Sequence, residues 1–499
     1  MMRTIGFATV FSALSAQLLV AQPVNADSLK FTAVPVTGKV VYFNTVDESK
    51  VPGLTGSIVD SMQEQSKGGL SIPVAFDAQR EPYRSGVERP DMGIGVGPKY
   101  IVQSINAQIA VFTTSGQKLK GWPKSANLFL GLKATDFVVD TRAQWDTWDH
   151  RFWISFLCPH GYCLAVSKTS DPTGVWYVYG FDLLDKPGFE VDFGMFAFDQ
   201  HTVSVSTHMA HYRHQGQGLH AGIFTIDKAA LESGSTNVAP QGFADIHTSG
   251  HDIDTVEPVL VPNTAGGQPA GEFFMSTEGF NFPCYGIRPY CTHLYVFMLS
   301  GSGNSQSISG GDVEMQPYRF TPVANTPKCK RCLETVGPMM TTSPVYNKGL
   351  ISFAFGTGVN NGSQEIAAIR WGQLAPTVTG MQLTSTRLIQ SGTLEYPGDR
   401  AAFFPSVMTD YAGSFYMVFD VSSSTQSPSV YVAARRASDP FNQLTEVQLV
   451  KGGAAPPDVF PWGDYTAGAF SGSSGPVWFA SEYAGVNNEF GTEIFNVNF

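Results

Sequence analysis

Five histidines, His201, His208, His211, His214 and His220, fall within a window of twenty positions. The series His208-x-x-His211-x-x-His214 is spaced like imidazoles that share a transition metal, but it lacks the glutamate of the HExxH helix found in zinc proteases. Residues three apart on a strand point to opposite faces, so the three can converge only in a loop. Tyr212–Gly218 reads as such a loop, and an exposed polar loop without metal is the competing reading. A second polar run, His247 and His251 with Asp252, Asp254 and Glu257, carries oxygens suited to Ca²⁺, which takes about six to eight of them, although the spacing is not that of an EF-hand. Carboxylates on expected loops are Asp91, Asp192, Glu257, Glu395, Asp399, Asp464 and Glu482. Two of them facing each other across a pocket would suffice for glycoside hydrolysis, but nothing in the sequence pairs any two. Arg400, Arg435 and Arg436 could clamp an acidic sugar through bidentate bonds. Asp464, Arg400 and Glu395 are the expected ligand contacts. No GxSxG elbow suggests a serine hydrolase.

Composition narrows the classes. A formal charge of −11 argues against nucleic acid, which needs a basic face. Charged residues make up only 15% of the chain, with 12% aromatics and 51 glycines, a profile of many short strands joined by tight turns. The start of the chain, Arg3 followed by an apolar run from Ile5 to Val20 and the small residues of Val24–Ala26, reads as a signal peptide over residues 1–26. The expected protein is therefore secreted or periplasmic, and no other stretch reads as a membrane span. The cysteines fall into three near-neighbour pairs, Cys158 with Cys163, Cys284 with Cys291 and Cys329 with Cys332, which export favours as local disulfides. A redox reading of Cys329–Cys332 would need a thioredoxin-like βαβ context, whereas the flanking sequence is a proline-rich loop.

These residues must be positioned by strands. Cys163–Asp182 reads as strand, tight turn, strand, and an echo of its first half returns at Val432–Pro440. Ser170-Asp171-Pro172 then aligns with Ser438-Asp439-Pro440, which points to one repeated β-unit. Arg151–Phe156, Tyr162–Val166 and Trp176–Tyr179 follow Phe137–Asp140 as four successive strands, enough for one blade of a β-propeller. Similar clusters recur to the C-terminus. The expected fold is all-β, one propeller of seven four-stranded blades, with six the alternative and a tandem of sandwiches the rival architecture. Residues 27–89 read as an N-terminal extension able to donate a strand to close the ring, and residues 90–499 as the propeller.

Pro90–Asn106, the turn Ser170–Trp176, Phe404-Pro405-Ser406, Trp462–Tyr465, Glu482-Tyr483 and Phe490–Thr492 together resemble a group of exported, mostly uncharacterised bacterial β-propellers. The resemblance implies fold and export and carries over no catalytic residue. Thr169–Trp176 also resembles the Asp-box turn of sialidase-type propellers, with its glycine one place late, and the turn of arabinanase-type glycosidases, in architecture only. The Phe-Arg-Ile-Pro opening of sialidases is absent. The expected function is binding of an extracellular carbohydrate or protein through the loop-rich face of a monomer. The rival is a polysaccharide hydrolase or lyase with carboxylates at the channel mouth, and a third reading is metal-dependent activity at the histidine loop. Whether the chain is an enzyme is left open by the sequence.

Overall fold

The computed structural model describes residues 29–32, 35–42, 69–82 and 90–499, apart from short internal stretches at 107, 185–188, 212–218, 249–250, 264–267, 280–289, 361–363, 457–461, 473–474 and 487–488. The expected signal peptide, His214 and Cys284 lie outside the described residues. The chain forms a seven-bladed β-propeller of four-stranded antiparallel blades.

The innermost strands, in blade order, are Met92–Val96, Val139–Asp146, Phe189–Phe198, Glu257–Pro258, Val345–Asn347, Ala401–Thr409 and Ala467–Phe470. Burial follows position in the blade. The second strand of blade 6, Phe415–Ser422, and that of blade 7, Val477–Ala484, are buried at every residue. Each of these strands has a neighbouring blade on both faces, so an apolar run suits it better than alternation. The outermost strand of blade 6, Glu446–Lys451, instead alternates buried and more open positions, as a strand with one solvated face should.

Glycines set how closely the first two blades approach. A Cβ on Gly93 would lie 1.9 Å from the Ala143 nitrogen, and one on Gly95 2.6 Å from the Gln144 carbonyl carbon. The alternation Gly93-Ile94-Gly95-Val96-Gly97 thus gives one smooth backbone face against blade 2 and one apolar face for the core.

The two Ser-Asp-Pro turns occupy the same place, between the third and fourth strands of blades 2 and 6. Asp171 accepts bonds from the Thr173 nitrogen at 2.9 Å and hydroxyl at 2.7 Å, while the Trp176 indole donates to the Pro172 carbonyl at 2.8 Å. Asp439 accepts from the Arg436 nitrogen at 2.7 Å and the Thr445 hydroxyl at 2.6 Å. Each aspartate replaces the hydrogen bonds that its turn takes away from the ladder. Disulfides join Cys158 to Cys163 and Cys329 to Cys332, and Cys291 is also disulfide-bonded. Among the described residues no helix is long and apolar enough to cross a membrane.

The described strands before residue 90 are woven into the blades. Leu29–Thr32 adds an outer strand to blade 3, and Pro35–Tyr42 adds one to blade 2. Ala75–Pro82 pairs with Glu489–Val497 and supplies the fourth strand of blade 7. The ring is therefore closed by a strand from the other end of the chain. Asp77 fastens it, accepting from Lys451 Nζ at 2.5 Å, the Tyr483 hydroxyl at 2.7 Å and Arg80 Nη2 at 2.5 Å. Burial opposes the Asp77 charge, but the bonds from Lys451 and Tyr483 outweigh it and hold the carboxyl well below the usual carboxylate range. Its contribution is complete above the ordinary Asp value of 3.8 and falls away in acid. Asp77→Asn is expected to lower unfolding stability in urea by about 2 kcal/mol at pH 7, with a smaller difference at pH 3. Equal stability at pH 7 would show that the closing strand is held by its ladder alone.

Candidate functional site

Aspartates recur where the chain enters the channel end of the innermost strands: Asp91 in blade 1, Asp140 in blade 2, Asp192 in blade 3, Asp254 before blade 4 and Asp464 before blade 7. Asp91 is buried, Asp140 and Asp464 are half-buried, and Asp192 is exposed. The site therefore opens to solvent beside Asp192. Asp91 ties two of these entries together. It accepts from Asn106 Nδ2 at 2.7 Å and from the Asp464 backbone nitrogen at 2.6 Å. Glu482 accepts from the Gly463 nitrogen at 2.9 Å, fixing the same loop from behind.

Three innermost strands carry the same backbone device. Register shifts interrupt the ladders at Val139/Arg142, Asp192/Met195 and Phe403/Ser406, and inside each lies a non-glycine residue in the left-handed region, Asp140 (φ 52°), Phe193 (φ 50°) and Phe404 (φ 50°). Such bulges re-aim side chains, and strained backbone clusters where function requires a fixed geometry.

Below the aspartates, side chains from four parts of the ring meet. Phe193 and Tyr465 pack edge to face at 5.0 Å, with Met195 and Met339 beside them. The Arg142 guanidinium lies 3.3 Å from the Tyr465 ring centroid and 5.9 Å from that of Phe193. Its Nε donates to the Met195 sulfur at 2.8 Å and its Nη1 to the Thr141 carbonyl at 3.2 Å. A small cavity of about 30 Å³ is lined by Arg142, Met92, Met195, Leu260, Ser406 and Thr466 among others.

The electrostatics of the mouth single out Asp140. Burial raises its pKa most, and the charges of Asp91 and Asp192 raise it further. Arg142 and the Tyr465 hydroxyl pull the other way, and the carboxyl ends at about 7. An acid of this kind holds its proton near neutrality while the exposed Asp192 beside it stands in water. Glu257, at the start of the innermost strand of blade 4, is only 2% exposed, and burial pushes it well above the ordinary Glu value against the pull of Arg142.

The structure brings Asp91, Asp192, Glu257, Asp464 and Glu482 to this end of the channel, although the sequence offered no way to pair them. It puts the other candidates to different uses. Arg400 donates to the Tyr431 hydroxyl at 2.7 Å and to Gln426 at 3.1 Å, and it stacks on Tyr396 at 4.3 Å. Glu395 is exposed on the same loop, and Asp399 caps Ser424 and Asn325. Arg435 bonds to the Asp439 carbonyl at 2.6 Å inside its turn, and Arg436 lies 4.1 Å over Phe499. No arginine clamp results from these three.

His208 and His211 stand three apart in one strand, Thr202–His211. Positions so spaced belong to opposite faces of a sheet, and His214 lies outside the described residues. His247 bonds to Asp252 in a short hairpin at 2.5 Å, whereas Asp254 and Glu257 are buried beyond it, so the expected Ca²⁺ run is divided. Among the described residues, the ligand-type side chains grouped around one point are Asp146, Asp149 and Glu232. Lys228 Nζ already sits there, 2.8 Å from Asp146 and 2.7 Å from Asp149, so a cation of the chain's own holds the position.

Asp140 and Arg142 are the candidate residues that sequence reading missed. The signal was present as the recurrence of an aspartate at blade entries, Pro90-Asp91, Val139-Asp140, Val191-Asp192, Ile253-Asp254 and Gly463-Asp464.

No protein family and no curated protein matches the sequence. Solved structures match in fold. A protein of unknown function from Dyadobacter fermentans is 9% identical, with 86% of this chain and 100% of that one covered at a TM-score of 0.38. Trypanosoma rangeli sialidase is 7% identical over 86% of this chain and 59% of its own, at 0.34. The WD40 domain of SCAP from fission yeast is 10% identical over 88% and 99%, also at 0.34. At these levels the likeness is to the propeller alone.

The loop bearing Asp464 is anchored from blade 6. The Trp462 indole donates to Asp420 at 2.8 Å, and the Ser481 hydroxyl donates to the other carboxyl oxygen. Burial lifts Asp420 to about 7, and the bonds from Ser481 and Trp462 only partly offset it. Between about pH 4 and 7 the folded chain therefore keeps a proton that the unfolded chain has lost, so this residue makes stability fall as pH rises. Asp420→Asn is expected to flatten the decline of melting temperature across that window. Parallel pH profiles of the two proteins would refute the assignment.

Proposed function

We propose that this propeller hydrolyses a glycan at the acidic end of its channel, with Asp140 as general acid and Asp192 as its carboxylate partner. The observation that carries the reading is that Asp140, set in a left-handed bulge of its innermost strand, feels burial and the charges of both Asp91 and Asp192, which raise it to about 7. Asp140 would protonate the glycosidic oxygen as the C–O bond breaks, and Asp192 would take a proton from the attacking water. Asp91 is committed to Asn106 and Asp464, so its charge raises Asp140 without itself reacting. Two bonds aim the neighbouring groups: the Tyr465 hydroxyl to Asp140, and the Phe193 nitrogen to Asp192 at 2.8 Å. The disulfides fit a protein that works outside the cytosol.

A receptor that binds a carbohydrate or protein at the same mouth without turnover is the second reading. Its protein-binding form is favoured by the fact that Arg142 covers a face of Tyr465, taking that face away from sugar stacking. The two separate in one experiment, in which the protein is incubated with a library of neutral polysaccharides and reducing ends are assayed from pH 4 to 9. Hydrolysis should fall as pH rises through about 7, because the protonated acid is the active form. Asp140→Asn tolerates the left-handed backbone, and it should reduce turnover by roughly 10²–10⁴-fold while leaving binding intact. Full turnover in this variant would remove Asp140 from the reaction, and binding without any hydrolysis would leave the receptor.

A further inference from the structure

Asp146 ends the innermost strand of blade 2, and Lys228 opens the short helix Lys228–Glu232 that follows the third strand of blade 3. They are 82 positions apart in sequence, yet Lys228 Nζ lies 2.8 Å from Asp146 Oδ2, and the two side chains are 1% and 0% exposed. The ammonium also bonds Asp149 at 2.7 Å and the Asp199 carbonyl at 2.7 Å, with the centroid of the Phe198 ring 5.7 Å away. The second oxygen of Asp146, Oδ1, accepts from the backbone nitrogens of Trp148 at 2.7 Å and Asp149 at 3.4 Å. Glu232 is four residues beyond Lys228 and so on the same side of the helix. One carboxyl oxygen from each of Asp146, Asp149 and Glu232 falls within 4.8 Å of the others. Glu232 Oε1 has no hydrogen-bond partner, and burial, helped by the charge of Asp149, lifts this carboxyl to about 7.

We infer that Lys228 and Asp146 condense in the folded chain to a side-chain amide, a covalent cross-link between blades 2 and 3. Asp149, bonded to Nζ, takes a proton from the ammonium, and the freed lone pair forms the new bond from Nζ to the Asp146 carboxyl carbon. Negative charge then gathers on Oδ1, where the Trp148 and Asp149 N–H groups already point. Oδ2 receives the proton of Glu232 and the one held by Asp149, and it leaves as water with the electron pair of its C–O bond. The surplus proton on nitrogen returns to Glu232. One ammonium and one carboxylate thus become one amide and one water, and neither an oxidant nor a reductant is needed. Asp149 is 42% exposed, which gives the water a way out. In dilute solution hydrolysis wins over such a condensation. Here the fold holds the two groups at a high effective concentration, and the product replaces two buried charges, each costly to desolvate, by a neutral group.

The test is mass spectrometry of the full folded chain, purified, incubated, then denatured with its disulfides reduced, and measured both intact and after digestion. Wild type should weigh one water less than its own sequence. Its peptide map should contain a branched species joining the segment of Asp146 to that of Lys228. Asp146→Asn should form the same branch with loss of ammonia in place of water. Lys228→Arg keeps the positive charge but has no amine to acylate, so it should fold and carry its full mass. Glu232→Gln keeps the shape of the cluster without its proton donor, and it should slow formation of the branch by roughly 10²-fold. Were Lys228→Arg to lose its fold, the ammonia-losing branch of Asp146→Asn would still decide. Wild type found at its full mass would overturn the inference, because a pair that is only electrostatic loses no water. A missing water mapped to peptides that do not contain both residues would overturn it as well. Unslowed condensation in Glu232→Gln would overturn the part assigned to Glu232.

Discussion

A ring of blades exists only if its last blade is joined to its first, and here that junction is a single strand. Ala75–Pro82 completes blade 7 from the opposite end of the chain, and the innermost strand of blade 7 then packs against that of blade 1. Everything described at the channel mouth depends on that closure. Asp91 from the start of the ring bonds to the Asp464 nitrogen at its end, so the two halves of the candidate site are assembled by the same act that closes the fold. Latch and site also share structure: Ala75–Pro82 pairs with Glu489–Val497, whose other neighbour, Val477–Ala484, carries the Glu482 that holds Gly463.

A propeller focuses residues that are far apart in sequence onto one axis, and this explains both what the site contains and how it is held. Arg142 contacts aromatic and thioether groups that come from blade 3 and from the entry to blade 7, with no carboxylate among the described residues within ion-pair distance. Its charge therefore acts at longer range on Asp140 and Glu257, lowering the energy of ionised forms that burial disfavors. At the other end of the same strand the opposite arrangement holds. Asp146 is neutralised directly by Lys228, a buried ion pair that also bonds the Asp199 carbonyl and ties blade 2 to blade 3. One strand thus carries the proposed acid at its start and a structural carboxyl at its finish.

Much of the architecture was legible because it is local. The Ser-Asp-Pro turns, the glycine alternation of Gly93–Gly97 and the near-neighbour cysteines are each specified within a few residues, and the physics that reads them is short-ranged. The site was harder because its pairs are not local. Asp91, Asp192, Glu257 and Asp464 could be nominated as carboxylates on loops, but their association is a property of the ring. Asp140 and Arg142 were hidden by another effect: they flank a bulge in their strand that is invisible in the residue pattern. The histidines illustrate the limit of spacing, since His208 and His211 lie in one regular strand, where residues three apart belong to different faces.

The left-handed residues of the three bulges bear on how relatives of this chain should be compared. At position 140 backbone and proposed chemistry want similar things, because Asp tolerates positive φ and would supply the acid. Persistence of Asp there would be ambiguous, and replacement by Asn or Gly would keep the shape while removing the proton donor. Positions 193 and 404 are different, since phenylalanine is poorly suited to that backbone. An aromatic ring retained there across divergent sequences could not be credited to local geometry. It would mark the rings themselves as what selection preserves.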